Sequence, residues 1–108
     1  MTLTRPEDLS VANFDENTAA THEVVAAVAG KRVTVYEVWL TAAASTDVTF
    51  QSAATAKIGP VAMAAGDIID KPANEIIPFV VCEVAEAFNI VLGTGSARVT
   101  GWIRYIQE

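Results

Sequence analysis

This chain has one cysteine, Cys82, one histidine, His22, and only seven basic residues in 108. A single cysteine excludes an internal disulfide, so the fold does not depend on an oxidising compartment. No spacing links His22 to Cys82 as a nucleophile and its base. A lone strand histidine reads as a hydrogen-bonded residue, and a cysteine closing an apolar run reads as a small hydrophobe. The seven Lys and Arg face thirteen Asp and Glu, for a net charge of −6. Only Lys31-Arg32 are adjacent. Phosphate contacts need clustered cations, so this balance argues against a nucleic-acid partner and against an anionic membrane surface.

Long apolar runs are also missing. The stretch Val24 to Gly30 is far too short to span a bilayer. Arg5 is followed by Glu7 and Asp8, where a signal peptide would turn apolar. A soluble protein made in a cytoplasm is expected. Charge is scarce in general: 19% of residues are charged and 52% are hydrophobic, which is sparse charge for a soluble monomer. Part of the surface is therefore expected to be covered by partners. The length suits one domain, which buries about two-thirds of its unfolded surface without staples.

What is present is strand-like. Residues 1–17 are polar, with Leu9, Val11 and Phe14 set among them without a clean period. Two readings stand for them: a frayed terminus, the usual fate of such segments, or an extended N-terminal arm whose Leu9, Val11 and Phe14 dock on a neighbour. From residue 18 to 108 a β-sandwich domain is expected. Thr21 to Val28 can be read as an Ala-rich helix, but a strand is preferred because β-branched residues cluster there and Gly30 closes it.

In Arg32 to Leu40, Val33 and Val35 share one parity while Val38 and Leu40 share the other. Such a switch predicts a bulge near Tyr36-Glu37 or two occupied faces. Asp47 to Gln51 alternates, with Val48 and Phe50 inward. Gly59-Pro60 and Ala65-Gly66-Asp67 read as turns. Pro78 to Cys82 is an apolar run fit for a buried strand. Phe88 to Leu92 alternates, and Gly93-Thr94-Gly95-Ser96 is expected to join it to the last strand as a hairpin. Seven or eight short strands at this spacing predict an all-β, single antiparallel β-sandwich.

The last strand has two occupied faces. Val99, Gly101, Ile103 and Tyr105 share the parity of a core, while Thr100, Trp102, Arg104 and Ile106 share the other. A Trp and an Ile beside an Arg on an outer face predict a surface that meets another chain. Trp39, opposite in parity to Val38 and Leu40, is expected on the same kind of face. Trp39, Trp102, Arg104 and Ile106 are thus the candidate oligomer interface.

The chemical inventory is nearly empty. Ile90 to Gly95 resembles the start of a dinucleotide fingerprint, but Arg98 stands where a third Gly is needed and a strand follows in place of a helix. Asp67, Asp70 and Glu75 form an acidic grouping without the Asp-x-Asp-x-Asp-Gly pattern of a calcium loop. No catalytic residue, metal ligand or cofactor is expected, and the protein is not expected to be an enzyme.

Three blocks carry a resemblance. Gly30-Lys31-Arg32-Val33-Thr34-Val35, followed by Thr46 to Ser52, is similar to a pattern in small structural proteins of tailed bacteriophages. So are Gly59-Pro60-Val61-Ala62-Met63-Ala64-Ala65-Gly66 and the closing Phe88 to Leu92 segment. The resemblance covers Gly30 to Glu108 and leaves the arm unmatched. It implies a sandwich of jelly-roll type. It further implies a virion protein of the capsid decoration, or cement, type: a homo-oligomer, expected as a trimer, that binds the major capsid protein on the outer capsid surface. A carbohydrate- or receptor-binding module of a tail fibre is the alternative, with Trp39, Trp102 and Tyr105 as stacking platforms for sugar rings.

Overall fold

The period-two alternation becomes nine strands in the computed structural model, which describes residues 9–74, 76–93 and 97–108. They are β1 (Ser10–Glu16), β2 (Thr21–Val25), β3 (Val33–Ala42), β4 (Thr46–Ser52), β5 (Thr55–Met63), β6 (Ile68–Lys71), β7 (Val80–Val81), β8 (Phe88–Leu92) and β9 (Val99–Gln107). One sheet runs β1-β9-β3-β6, with β7 also on β3, and the other runs β2-β8-β4-β5. Every pairing is antiparallel. The pairs nest around the β4–β5 hairpin, β3 with β6, β2 with β8 and β1 with β9, so successive pairs fall in alternate sheets. The protein is an all-β antiparallel sandwich, as expected.

The core lies between the sheets. Val33, Val35, Val38 and Leu40 from β3, and Val99 and Ile103 from β9, face Val48 and Phe50 from β4 and Phe88, Ile90 and Leu92 from β8. The parity switch in β3 is a bulge: Val35 pairs with Tyr105 and Glu37 with Arg104, so Tyr36 is the extra residue. Two residues opposing one is what moves the inward set from odd to even numbers. Ile103 is buried and Tyr105 packs against the core, while Trp102 and Arg104 take the other face.

Four local expectations are corrected. Residues 10–16 are not an arm but the edge strand β1, in register from Ser10 against Tyr105 to Glu16 against Val99. Phe14 is buried in the core, so it does not dock on a neighbour. It lies across from Gly101 of β9. The expected boundary at residue 17 therefore moves, and residues 1–8 lie outside the described ones.

The segment after β8 does not close a hairpin. β8 belongs to one sheet and β9 to the other, so the chain crosses the sandwich there; Thr94 to Ser96 lie outside the described residues. Gly59-Pro60 is not a turn but the interior of β5, where pairing with β4 shifts register between Val48 and Phe50. Pro at a bulge of an edge strand removes no ladder bond. Finally, Pro78 to Cys82 is not buried throughout: Val80 and Cys82 point in, and Val81 is 40% exposed.

Candidate interaction surface

The two outer faces of the sandwich differ in chemistry. On the β2-β8-β4-β5 sheet the outward side chains form rows such as Glu23–Asn89–Gln51 and Thr21–Val91–Thr49. That is the polar face expected of a solvated antiparallel sheet. On the other sheet the central row is Asn13–Trp102–Trp39–Asp70, spanning β1, β9, β3 and β6. One adjoining row is Val11–Arg104–Glu37 and the next beyond Trp is Asp15–Thr100–Thr41–Ile68. At the far end Ile106, Thr34 and Val81 stand in line.

Trp39 and Trp102 are direct cross-strand partners and both are half-buried. The Arg104 guanidinium lies 5.6 Å from the Trp102 ring centre, within cation–π range. Its Nε is 3.8 Å from Glu37 Oε1, an ion pair too long for a hydrogen bond, and though shielded from solvent it has no hydrogen-bond partner among the described residues. Glu37 instead commits Oε2 to the Ala73 backbone N–H at 3.0 Å. Val11 and Ile68 flank the pair at 55% and 57% exposure. Trp39, Trp102, Arg104 and Ile106 thus share one face, as the alternation predicted.

The arm residues separate. Val11 belongs to this face, Leu9 is half-buried just before β1, and Phe14 is core. At the β1 edge Asp15 accepts from Thr100 Oγ1 at 3.0 Å and from Arg98 at 3.2 Å. These exposed bonds hold β1 on β9 but contribute little stability.

Beside Thr34 the same face continues into an open groove of about 390 Å³. Its walls are Thr34, Tyr36, Ile76, Pro78, Val81 and Val84, with Arg32 and Glu108 also lining it. Ile76, Ile77 and Val84 are each more than half exposed. Alternation could not find this patch, because residues 72–74 and 76–79 lie outside any strand. The signal in the sequence is Ile76-Ile77 ahead of Pro78, two large apolar residues in a segment otherwise written in loop chemistry.

The remaining candidates have structural partners. His22 sets Nδ1 3.0 Å from Glu16 Oε2 and Nε2 2.9 Å from the Thr18 carbonyl, bridging β1 to β2. Asp67 caps a turn by accepting from the Ala64 N–H at 2.8 Å. Asp70 stands in the Trp row, and Glu75 lies outside the described residues. No group of three or more His, Cys, Asp or Glu among the described residues is placed to hold a metal ion.

Cys82 is fully buried, and burial pushes its thiol above the ordinary range, against a hydrogen bond with Ser52 that lowers it. Because the thiolate is the reactive form, native protein should resist a thiol reagent at pH 8 and label promptly in denaturant. Equal labelling rates with and without denaturant would show that Cys82 is accessible.

Compared with family models, with curated proteins and with solved structures, the chain matches none.

Proposed function

We propose that this protein is a bacteriophage virion component, a decoration (cement) protein without chemistry of its own. In this reading it self-associates and binds the outer capsid where subunits of the major capsid protein meet, adding buried area across joints that internal pressure opens. The observation that carries the reading is the asymmetry of the outer faces: one is polar, and the other sets Trp39 beside Trp102 with Val11 and Ile68 in the adjoining rows and Ile106 at the far end. Aromatic residues and Arg are enriched where proteins meet. The nested strand pairing supports a jelly roll, an architecture of eight strands in two sheets, once two-residue β7 is set aside.

A second reading, a glycan-binding module of a tail fibre, is favoured by one feature. Asn13 and Asp70 flank the two tryptophans in a single row, an arrangement suited to stacking a sugar ring and bonding its hydroxyls.

Light scattering on a gel-filtration column should give an oligomer, with a trimer expected from the resemblance. Trp102→Glu should lower the mass, because a charge placed in an apolar contact is left unpaired. Tryptophan fluorescence should stay flat on titration with glycans. A saturable glycan response would instead favour the second reading. Immunogold labelling of purified virions should mark the whole head; labelling confined to the tail would sink the decoration reading.

A further inference from the structure

We propose that the groove beside β7 pairs two copies of this chain about a two-fold axis, with Ile77 of one copy seated in the groove of the other. The proposal deepens the self-association reading and assigns it a second contact, separate from the tryptophans.

The loop that carries Ile76 and Ile77 is anchored, although both side chains are about 60% exposed. Lys71 Nζ donates to the carbonyls of Tyr36, Pro72 and Ile77 at 3.2–3.3 Å. Asn74 Oδ1 accepts from the N–H groups of Ile76 and Ile77 at 2.9 and 3.1 Å. The Ala73 N–H is taken by Glu37, and the Phe79 N–H bonds the Val35 carbonyl at 2.7 Å. Beyond that bond the Phe79 ring meets Phe50 edge-on at 4.9 Å. Polar anchors on both sides thus hold two isoleucines in water, where a slack loop would fold them inward. A fixed apolar projection beside a recess whose walls include Ile76, Pro78, Val81 and Val84 has the form of a binding hot spot.

Charge selects the occupant. The chain carries −6 overall, so two copies repel unless they meet on a patch of balanced sign. Among the described residues, the only charged ones lining the groove are Arg32 and Glu108, one of each sign. Their backbones bond each other, Arg32 N–H to Glu108 O at 2.9 Å and Glu108 N–H to Arg32 O at 3.0 Å. Among the described residues neither side chain makes an ion pair. A patch holding a projection, a recess and one charge of each sign complements itself, as an isologous contact requires. Across the two-fold, Arg32 of each copy meets Glu108 of the other.

The test is the mass of the full chain over a concentration series, by light scattering and sedimentation. Wild type should pair through this contact, so that trimers joined by the tryptophans reach twice the trimer mass as concentration rises, and Ile77→Asp should weaken pairing by about 30-fold or more, the scale of a hot spot. Ile77 is exposed, so this variant should keep the wild-type circular dichroism. Arg32→Glu alone and Glu108→Arg alone should each weaken pairing, since each sets like charges across the contact. An equal mixture of the two variants should pair again, because both contacts of the mixed pair then join opposite charges. An ion pair within one chain cannot give that recovery. Mass that survives Ile77→Asp but falls with Trp102→Glu overturns this proposal and leaves the tryptophan contact standing. The converse keeps the pairing and removes the tryptophan contact. A monomer at every concentration overturns both.

Discussion

Replacing Gly101 by alanine should lower the urea midpoint by about 1 M or more, and by valine should prevent folding at ordinary temperature. Gly101 sits in β9 directly opposite Leu40 of β3, at the centre of the five-stranded sheet. A Cβ there would collide with the Trp39 carbonyl and lie 2.7 Å from both Cα and Cβ of Leu40. Those are mostly backbone atoms, so no rotamer change relieves the clash, and the two central strands must separate. Overpacking a core costs about 1–3 kcal/mol where side chains can adjust. With backbone in the way the cost should reach or pass the top of that range. A small domain has only about 5–15 kcal/mol in hand, and a urea slope of about 1–3 kcal/mol per molar converts the loss to the stated shift. A midpoint for Gly101→Ala matching wild type would mean that β9 and β3 do not approach this closely.

Phe50→Ala should cost about 3–5 kcal/mol from the emptied volume alone. Phe50 is fully buried in β4 and stacks on Phe88 at 6.2 Å and 11°. It also meets Phe79 in a T-shaped contact, so one ring joins the four-stranded sheet to the segment leading into β7. Each aromatic pair adds about 0.5–1.5 kcal/mol beyond burial. The loss should appear in denaturant melts as a lower midpoint, and it has a functional side. Phe79 ends the loop that presents Ile76 and Ile77, so any Phe50→Ala protein that folds should pair less tightly than wild type. Phe50→Leu, which keeps most of the volume, should recover most of the stability and the pairing. Unchanged pairing in a folded Phe50→Ala protein would show that the loop does not need this anchor.

The bulge at Tyr36 was legible because Val33, Val35, Val38 and Leu40 can reach one core only if the register slips by a residue. The two faces of β9 were legible for the same reason: side chains alternate on any strand, so Trp102 and Arg104 had to oppose Ile103. Phe14 was misplaced, because a short polar segment with three apolar residues reads the same whether it docks on its own sheet or on a neighbour's. The hairpin after Leu92 was misread because Gly-rich connections serve equally between strands of one sheet and between two sheets. The groove was missed because its walls come from β3, β7 and two loops, and no local period joins Tyr36 to Val84.

Local stereochemistry therefore set what the residues alone could decide: strands throughout, a slip in β3, tryptophans turned away from the core, and few groups able to do chemistry. Each of these depends only on neighbours a few residues apart, where alternation and β-branching act. The tertiary structure decided the rest. It made residues 10–16 an edge strand, placed Trp39 against Trp102, left the opposite outer face polar, and raised Ile77 beside a groove on anchors drawn from Lys71, Glu37 and Asn74. Those outcomes depend on which strands pair across gaps of up to 95 residues, as between Ser10 and Tyr105. Pairing at that range follows from filling one core without voids, and no single segment carries that information.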